Sequence, residues 1–336
     1  MSRTRFKGRG PVGTMRYDSR HECTQATRNG RGSSVTDALL QVGLLIGLGF
    51  VLRRSRFLEP GFWRSFEHMV YFVLLPTLVF QVLADATVDG AVAARLSAAV
   101  ALSILLLAMV LVLVRRRIGL TGPAFTSVFQ GSVRFNSYVA LAVIPAVFGK
   151  GGLELLAVLI AVVVPLVNVL SVLMLAVFAG GPSPTPWRVV RSIAANPLVV
   201  ASVLGILANA TLHGLPGALD GALGVLARAA LPSGLMAVGA ALVPGEFRTH
   251  ARGLSVSLVA RFALLPVVSF AVGTALHLPA EALGVLVLFQ AQPTATSAYL
   301  LARQLGGDAE LMASIITGQT LLAFGVLPVV VALLPG

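Results

Sequence analysis

The chain has 336 residues, of which 57% are hydrophobic and only 11% are charged. Soluble domains carry roughly a quarter charged residues, so this composition excludes a soluble globular protein and indicates one that lies in a lipid bilayer. The formal net charge of +12 does not indicate a nucleic-acid partner, because the basic residues are concentrated in the first 34 positions and in short segments between apolar runs. The lone cysteine, Cys23, excludes an internal disulfide.

The first 34 residues differ from the rest of the chain. They are basic, glycine-rich and polar, and they have no apolar periodicity. Such a composition predicts a disordered tail. The first apolar stretch is not followed by a cleavage site typical of a signal peptide. We therefore interpret residues 1–34 as a basic tail that is not required for the fold, and we expect the native chain to start near Val35.

Ten apolar stretches follow, and a helix needs about 20 mostly apolar residues to cross a bilayer. The predicted spans are 35–52, 66–83, 91–114, 123–148, 153–178, 197–212, 218–243, 254–276, 280–301 and 311–334. The first five spans make up residues 35–178, a cytoplasmic linker is predicted at 179–194, and the last five make up residues 195–334.

Basic residues in the joints predict the orientation. The joints after the odd-numbered spans hold Arg53, Arg54, Arg56, Arg64, Arg115, Arg116, Arg117, Arg188, Arg191, Arg248, Arg252 and Arg303, whereas those after the even-numbered spans hold only Arg95 and Lys150. By the positive-inside rule the first group is cytoplasmic. A multi-pass protein of the inner membrane is predicted, with both termini periplasmic if the chain starts near Val35.

The two halves of the chain resemble each other. A polar stretch at residues 128–138 recurs at 288–299, and Leu-Pro-Thr at 75–77 recurs as Leu-Pro-Ser at 231–233. The separation is close to the length of one five-helix unit. Because five is odd, the second unit must be inverted relative to the first, an arrangement typical of secondary transporters whose substrate site lies between the repeats.

The densest polar chemistry lies inside spans 4 and 9. Arg134 is about 14 residues beyond the basic cluster of span 3, or ~20 Å along a helix, which predicts a position near the bilayer centre. Pro293 predicts that span 9 breaks and restarts near Thr294, and Asn136 is the expected cap of the restarted half of span 4. Two half-helix N-termini would favour an anion. The predicted substrate-binding residues are Arg134, Asn136, Ser137, Tyr138, Gln290, Gln292, Pro293, Thr294, Thr296 and Ser297.

Structural roles are open for the same residues, since Gln, Ser and Thr often only join membrane helices, and Arg134 could pair with a carbonyl. We interpret Arg228 and Arg261, nearer the helix ends, as structural. Asn168 and Gln319 are interpreted as packing residues. No acidic residue lies at mid-span, which disfavours a cation antiporter. We expect no enzyme activity, cofactor or metal, because no Walker A loop, metal-ligand cluster or nucleophile elbow is present.

The polar motifs resemble those of the auxin efflux carrier family, which includes bacterial malate and malonate carriers. The resemblance is most specific at residues 131–138 and 293–299, and it continues through 306–328. It implies an all-α integral membrane protein with ten transmembrane helices, arranged as two inverted five-helix repeats in which helices 4 and 9 are broken and cross at the substrate site. It also implies a scaffold of helices 1, 2, 6 and 7, and a homodimer. Phe135 stands where plant-type carriers have proline, which weakens the expectation of a break in helix 4.

These observations predict a secondary active transporter that moves a small organic anion, such as a dicarboxylate or an auxin-like carboxylate, by alternating access. Its expected partners are that anion, the lipid bilayer and a second copy of the chain. The alternatives are a membrane sensor or receptor that uses a transporter fold, and a sodium/proton antiporter.

Overall fold

The computed structural model describes residues 19–59, 61–180, 185–212, 215–243 and 247–334, and among them it contains helices and no strands. The helices are α1 (Ser19–Arg54), α2 (Phe62–Met69), α3 (Leu75–Ala84), α4 (Gly90–Ile118), α5 (Gly122–Val133), α6 (Ser137–Phe178), α7 (Pro186–Ala194), α8 (Pro197–Thr211), α9 (Gly217–Ala241), α10 (Ala251–Val259), α11 (Leu265–Ala275), α12 (Ala280–Gln290), α13 (Ser297–Leu305) and α14 (Ala309–Leu333). The all-helical prediction is therefore confirmed for these residues.

Two π-helical turns join neighbouring helices into longer ones. Val70–Leu74 connects α2 to α3, and Ala260–Leu264 connects α10 to α11. Each turn precedes a Leu-Pro pair, at Pro76 and Pro266. Proline has no N–H and its ring clashes with the carbonyl four residues earlier, and a wider turn relieves both problems within a continuous helix.

Helix α1 begins inside the predicted tail. It starts at Ser19, so residues 19–34 are helical, which differs from the disorder that their composition indicates. The physical reason is that no proline interrupts the chain from Ser19 to Arg54, and a formed helix extends by one hydrogen bond for each residue added. Residues 1–18 of the predicted tail lie outside the described residues.

Among the described residues, six helical segments are long and apolar enough to cross a membrane. They are Phe62–Ala84, Gly90–Ile118, Gly122–Phe178, Gly217–Ala241, Ala251–Ala275 and Ala309–Leu333. The third has 57 residues, which at ~1.5 Å per residue is roughly 85 Å, far more than the ~30 Å hydrocarbon layer. That segment must therefore hold more than one crossing, while the total of ten crossings stays a prediction.

The long segment changes direction at Gly149, which has φ 64° and ψ −149° inside α6. Glycine reaches this region without the steric penalty of a side chain. Gly149 lies at the predicted joint between spans 4 and 5. After α6, the predicted linker at 179–194 contains the short helix α7, and residues 181–184 of it lie outside the described part.

The helices form two sets of contacts, and α6 joins them because it also packs against α1, α3, α8 and α9. Helix α1 packs against α9, and α3 packs against α8 and α9, so the helices expected to form the scaffold contact one another. In the second set, α5 packs against α6, α10 and α14, while α12 packs against α6 and α11. Phe125, Phe129 and Phe289 are fully buried in the second set.

Glycines bring the backbones of α1 and α9 into direct contact. A Cβ atom on Gly49 would clash with the carbonyl oxygen of Met236, and one on Gly239 would clash with the carbonyl oxygen of Ile46. Small residues at membrane helix interfaces permit such close approach. The residues of one helix therefore fit the other in a single register.

Candidate functional site

The first break separates α5 from α6. Helix α5 ends at Val133, Arg134 is extended with φ −78° and ψ 152°, and α6 begins at Ser137. The Oδ1 atom of Asn136 accepts hydrogen bonds from the backbone N–H groups of Tyr138 at 3.1 Å and Val139 at 3.3 Å. The prediction that Asn136 caps the restarted helix is confirmed. Because this cap satisfies two free N–H groups, the break forms although position 135 is not proline.

The second break separates α12 from α13. Helix α12 ends at Gln290 and α13 begins at Ser297, so the predicted restart near Thr294 is wrong. The carbonyl oxygen of Pro293 accepts a hydrogen bond from the backbone N–H of Asn136 at 2.7 Å. The N–H of Thr294 donates to Gln319 at 2.8 Å. These partners hold residues 293 and 294 in the break, and the helix restarts only after them.

Gln319, on α14, joins the two breaks. Its Oε1 accepts from Thr294, and its Nε2 donates to the carbonyl oxygen of Gly131 at 2.9 Å and to the hydroxyl of Ser257 at 3.0 Å. The side chain is fully buried. It makes the packing hydrogen bonds expected from the sequence, and two of its three partners, the Thr294 N–H and the Gly131 carbonyl, are backbone groups at the breaks.

Arg134 is buried between the breaks, with 9% of its surface exposed. Its Nη1 donates to the Ser171 hydroxyl at 3.5 Å and its Nη2 to the Ser297 hydroxyl at 3.4 Å, both long hydrogen bonds. Its Nε has no hydrogen-bond partner, and among the described residues no carboxylate forms a salt bridge with it. The guanidinium is thus hydrogen-bonded by neutral groups only, and among the described residues no carboxylate lies within salt-bridge distance of it.

A cavity of about 360 Å³ lies against Arg134. Six of the ten predicted site residues line it, namely Arg134, Asn136, Ser137, Tyr138, Thr296 and Ser297. The first residues of α6 and α13 are among them, so two helix N-termini border one space. Asn168, interpreted from the sequence as a packing residue, also lines the cavity.

The other four predicted site residues lie away from this cavity. Gln290 is fully buried and has no hydrogen-bond partner for its amide among the described residues. Gln292 donates to the carbonyl oxygen of Leu288 at 2.9 Å. Pro293 and Thr294 serve the connection between the breaks. Their contacts are with the protein backbone and with Gln319.

The second half of the chain matches a known family. Residues 186–331 match the family model described as "Membrane transport protein". That model is the membrane transport domain of the auxin efflux carrier family, and the match covers less than half of the chain. The matched region of this transport domain contains the second break, Arg261 and Gln319, while Arg134 and Asn136 precede it. No individual curated protein matches the chain.

The sequence analysis missed one residue of the site, Glu67, which lies on α2. Its Oε1 accepts a hydrogen bond from the Thr296 hydroxyl at 3.1 Å. It lines the cavity beside Arg134 and also a larger adjoining cavity of about 900 Å³. Glu67 is the second residue of the predicted span at 66–83, but the helix begins four residues earlier, at Phe62, so this carboxylate lies inside the helix and not at its end.

The position of Arg261, which was interpreted as a structural residue, was predicted wrongly. Its predicted place was near a helix end, where its long stem could reach the membrane surface, but it is fully buried. Its Nε donates to the carbonyl oxygen of Gln292 and its Nη1 to that of Ser132 at 3.3 Å. By contrast, Arg228 is exposed on α9. Both arginines lie about ten residues, or ~15 Å, into their helices, so depth along the helix does not separate them, and the difference comes from the two breaks that Arg261 contacts.

Proposed function

We propose that the protein is a secondary permease that moves a small organic anion, such as a dicarboxylate or an auxin-like carboxylate, across the inner membrane by alternating access. The observation that carries this proposal is the state of Arg134. A buried cation in a membrane protein is expensive and is usually functional. Arg134 faces a cavity, and in the described part of the chain only neutral hydroxyl groups pair with it. An anionic substrate would supply the missing charge.

The ends of two helices support the same substrate class. Helices α6 and α13 begin at Ser137 and Ser297, and both residues line the cavity. The N-terminus of a helix carries a partial positive charge that favours anions, although in α6 the N–H groups of Tyr138 and Val139 are already bonded to Asn136. The cavity volume, about 360 Å³, is within the range of roughly 300–1,000 Å³ that is common for small-molecule sites.

The proposal includes ten transmembrane helices in two inverted repeats, with the basic joints in the cytoplasm. The larger cavity shares Glu67 and Thr296 with the smaller one. Arg53, Arg54 and Arg56 also line the larger cavity, and they belong to the basic joint after span 1. By the positive-inside rule this face lies in the cytoplasm. An inward-facing state, in which the anion reaches Arg134 from the cytoplasm, fits this arrangement.

Counterflow in proteoliposomes tests the proposal, with labelled malate, malonate and indole-acetate as probes. The wild-type protein should exchange at least one of them. Arg134→Ala should weaken binding of that anion by roughly ten- to a hundredfold, because hydrogen bonds to charged groups are worth ~1.5–3 kcal/mol. Arg134→Lys should lose less, since it keeps the charge but not the planar fork.

Arg228→Ala is the matched control, because Arg228 is exposed and lies outside the cavity. It should bind and exchange like the wild type. Equal affinities for wild type and Arg134→Ala, with both proteins folded by a thermal melt, would refute the role of Arg134. Binding without counterflow would favour the alternative of a membrane sensor.

A further inference from the structure

The break in each long helix leaves backbone carbonyls without their normal partners. In a continuous helix the carbonyl of Ser132 would accept from the N–H of Asn136. That N–H donates to Pro293 instead. The carbonyl of Gln292 lies just beyond the end of α12, where the same loss occurs. Each half-helix therefore ends in an unpaired carbonyl and in the negative end of its dipole.

Arg261 is bonded to both of these carbonyls. Its guanidinium donates to Ser132 on one side and to Gln292 on the other, and the two acceptors lie at corresponding positions of the similar polar stretches at 128–138 and 288–299. The side chain is fully buried, and no carboxylate in the described residues forms a salt bridge with it. Among the described residues, its positive charge is balanced only by the partial negative charges of the two half-helix ends.

In transporters with broken helices, unwound carbonyls and half-helix C-terminal ends are the groups that coordinate a coupling cation such as Na⁺. We infer that Arg261 is a built-in cation that occupies this position at the crossing, so that the crossing takes no inorganic cation and transport is independent of Na⁺. Arg261 is then a positioning residue, since it holds the two half-helix ends together and does not touch the anion. Arg261 lies in a π-helical turn, so its side chain has a different position from the one that regular α-helical spacing would give it. Such turns often occur at functional sites.

Melting of the purified protein tests the inference without a substrate. The wild type should melt at the same temperature in NaCl, KCl and choline chloride of equal ionic strength. Arg261→Ala should lower the melting temperature by roughly 5 °C or more, and Arg261→Lys should lower it less because the charge remains. Low millimolar guanidinium should raise the melting temperature of Arg261→Ala relative to an equal concentration of choline. Arg228 is exposed, so its replacement leaves no buried space that guanidinium could fill. Arg228→Ala should therefore show neither the lower melting temperature nor the rescue by guanidinium.

The transport arm of the test rests on the proposed function, and the melting arm does not. Counterflow by the wild type should proceed equally with Na⁺, K⁺ or choline on both sides. The inference is overturned if Na⁺ specifically stabilises the wild type, if counterflow requires Na⁺, or if Arg261→Ala melts like Arg228→Ala. If Arg261→Ala does not fold, the cation series on the wild type and on Arg261→Lys still decides. If none of the three labelled anions is exchanged, the proposed substrate class fails while the melting results still judge Arg261.

Discussion

Replacing Gln319 with Met should destabilise the crossing more than any single cap does. The side chain makes three hydrogen bonds, to Thr294, Gly131 and Ser257. Side-chain hydrogen bonds in membrane proteins are worth ~0.6 kcal/mol on average, so their loss alone amounts to about 2 kcal/mol. The replacement also leaves the Thr294 N–H and the Gly131 carbonyl buried without a partner, at about 1–3 kcal/mol each. Together these contributions amount to a loss of about 4–8 kcal/mol.

The assay is thermal unfolding of the purified protein in detergent. Met keeps the length and most of the volume of Gln, so packing changes little and the hydrogen bonds are the main variable. A loss of this size should lower the melting temperature by roughly 5 °C or more. Gln304→Met is the matched control, because Gln304 is exposed on α13 and should melt like the wild type. If Gln319→Met melts within about 1 °C of Gln304→Met, the claim that Gln319 joins the two breaks is refuted.

Substitutions at Asn136, Glu67 and Gly239 test the anion site and the contact between α1 and α9. Asn136→Ala should lower anion affinity about fivefold, since a lost helix cap is worth ~1 kcal/mol, whereas Asn136→Asp should keep the melting temperature and still bind the anion more weakly in isothermal titration. Glu67→Gln removes a negative charge from the cavity and should tighten binding of a dicarboxylate by on the order of 1 kcal/mol; unchanged affinity would show that the carboxylate does not face the anion. Gly239→Ala should lower the melting temperature by overpacking, at ~1–3 kcal/mol, while Gly47→Ala, where a Cβ would meet nothing within 4 Å, should not.

Local chemistry made part of the crossing predictable. Asn136 stands before an apolar run, and asparagine is a preferred helix cap, so its role follows from a few neighbouring residues. The buried cation at Arg134 was found from its distance along the helix to the nearest basic joint. Both inferences need only a short window of sequence, and both features have the expected helical context in the structure.

Other features depend on contacts between distant parts of the chain. Pro293 was expected to start a helix, but its carbonyl is bonded to Asn136 and its neighbour Thr294 to Gln319. No local rule reveals these partners. Glu67 was missed because it stood second in the predicted span, where a charge is typical of a helix end, whereas the helix begins at Phe62. Helix ends set by aromatic and charged residues are poorly marked by hydropathy. Its neighbour Thr296 comes from the other end of the chain.

The contact between α1 and α9 has a consequence for motion. Gly49 lies on the carbonyl oxygen of Met236, and Gly239 lies on that of Ile46, so each backbone occupies the space that a side chain would need. A slide of α1 by one residue would bring Leu48 or Phe50 to the position of Gly49, where neither side chain fits. These two helices therefore cannot slide along each other while they remain in contact, and they form one rigid unit. Any movement of the crossing relative to this pair has to take place along their other faces, where α1 contacts α6 and α14 and α9 contacts α6.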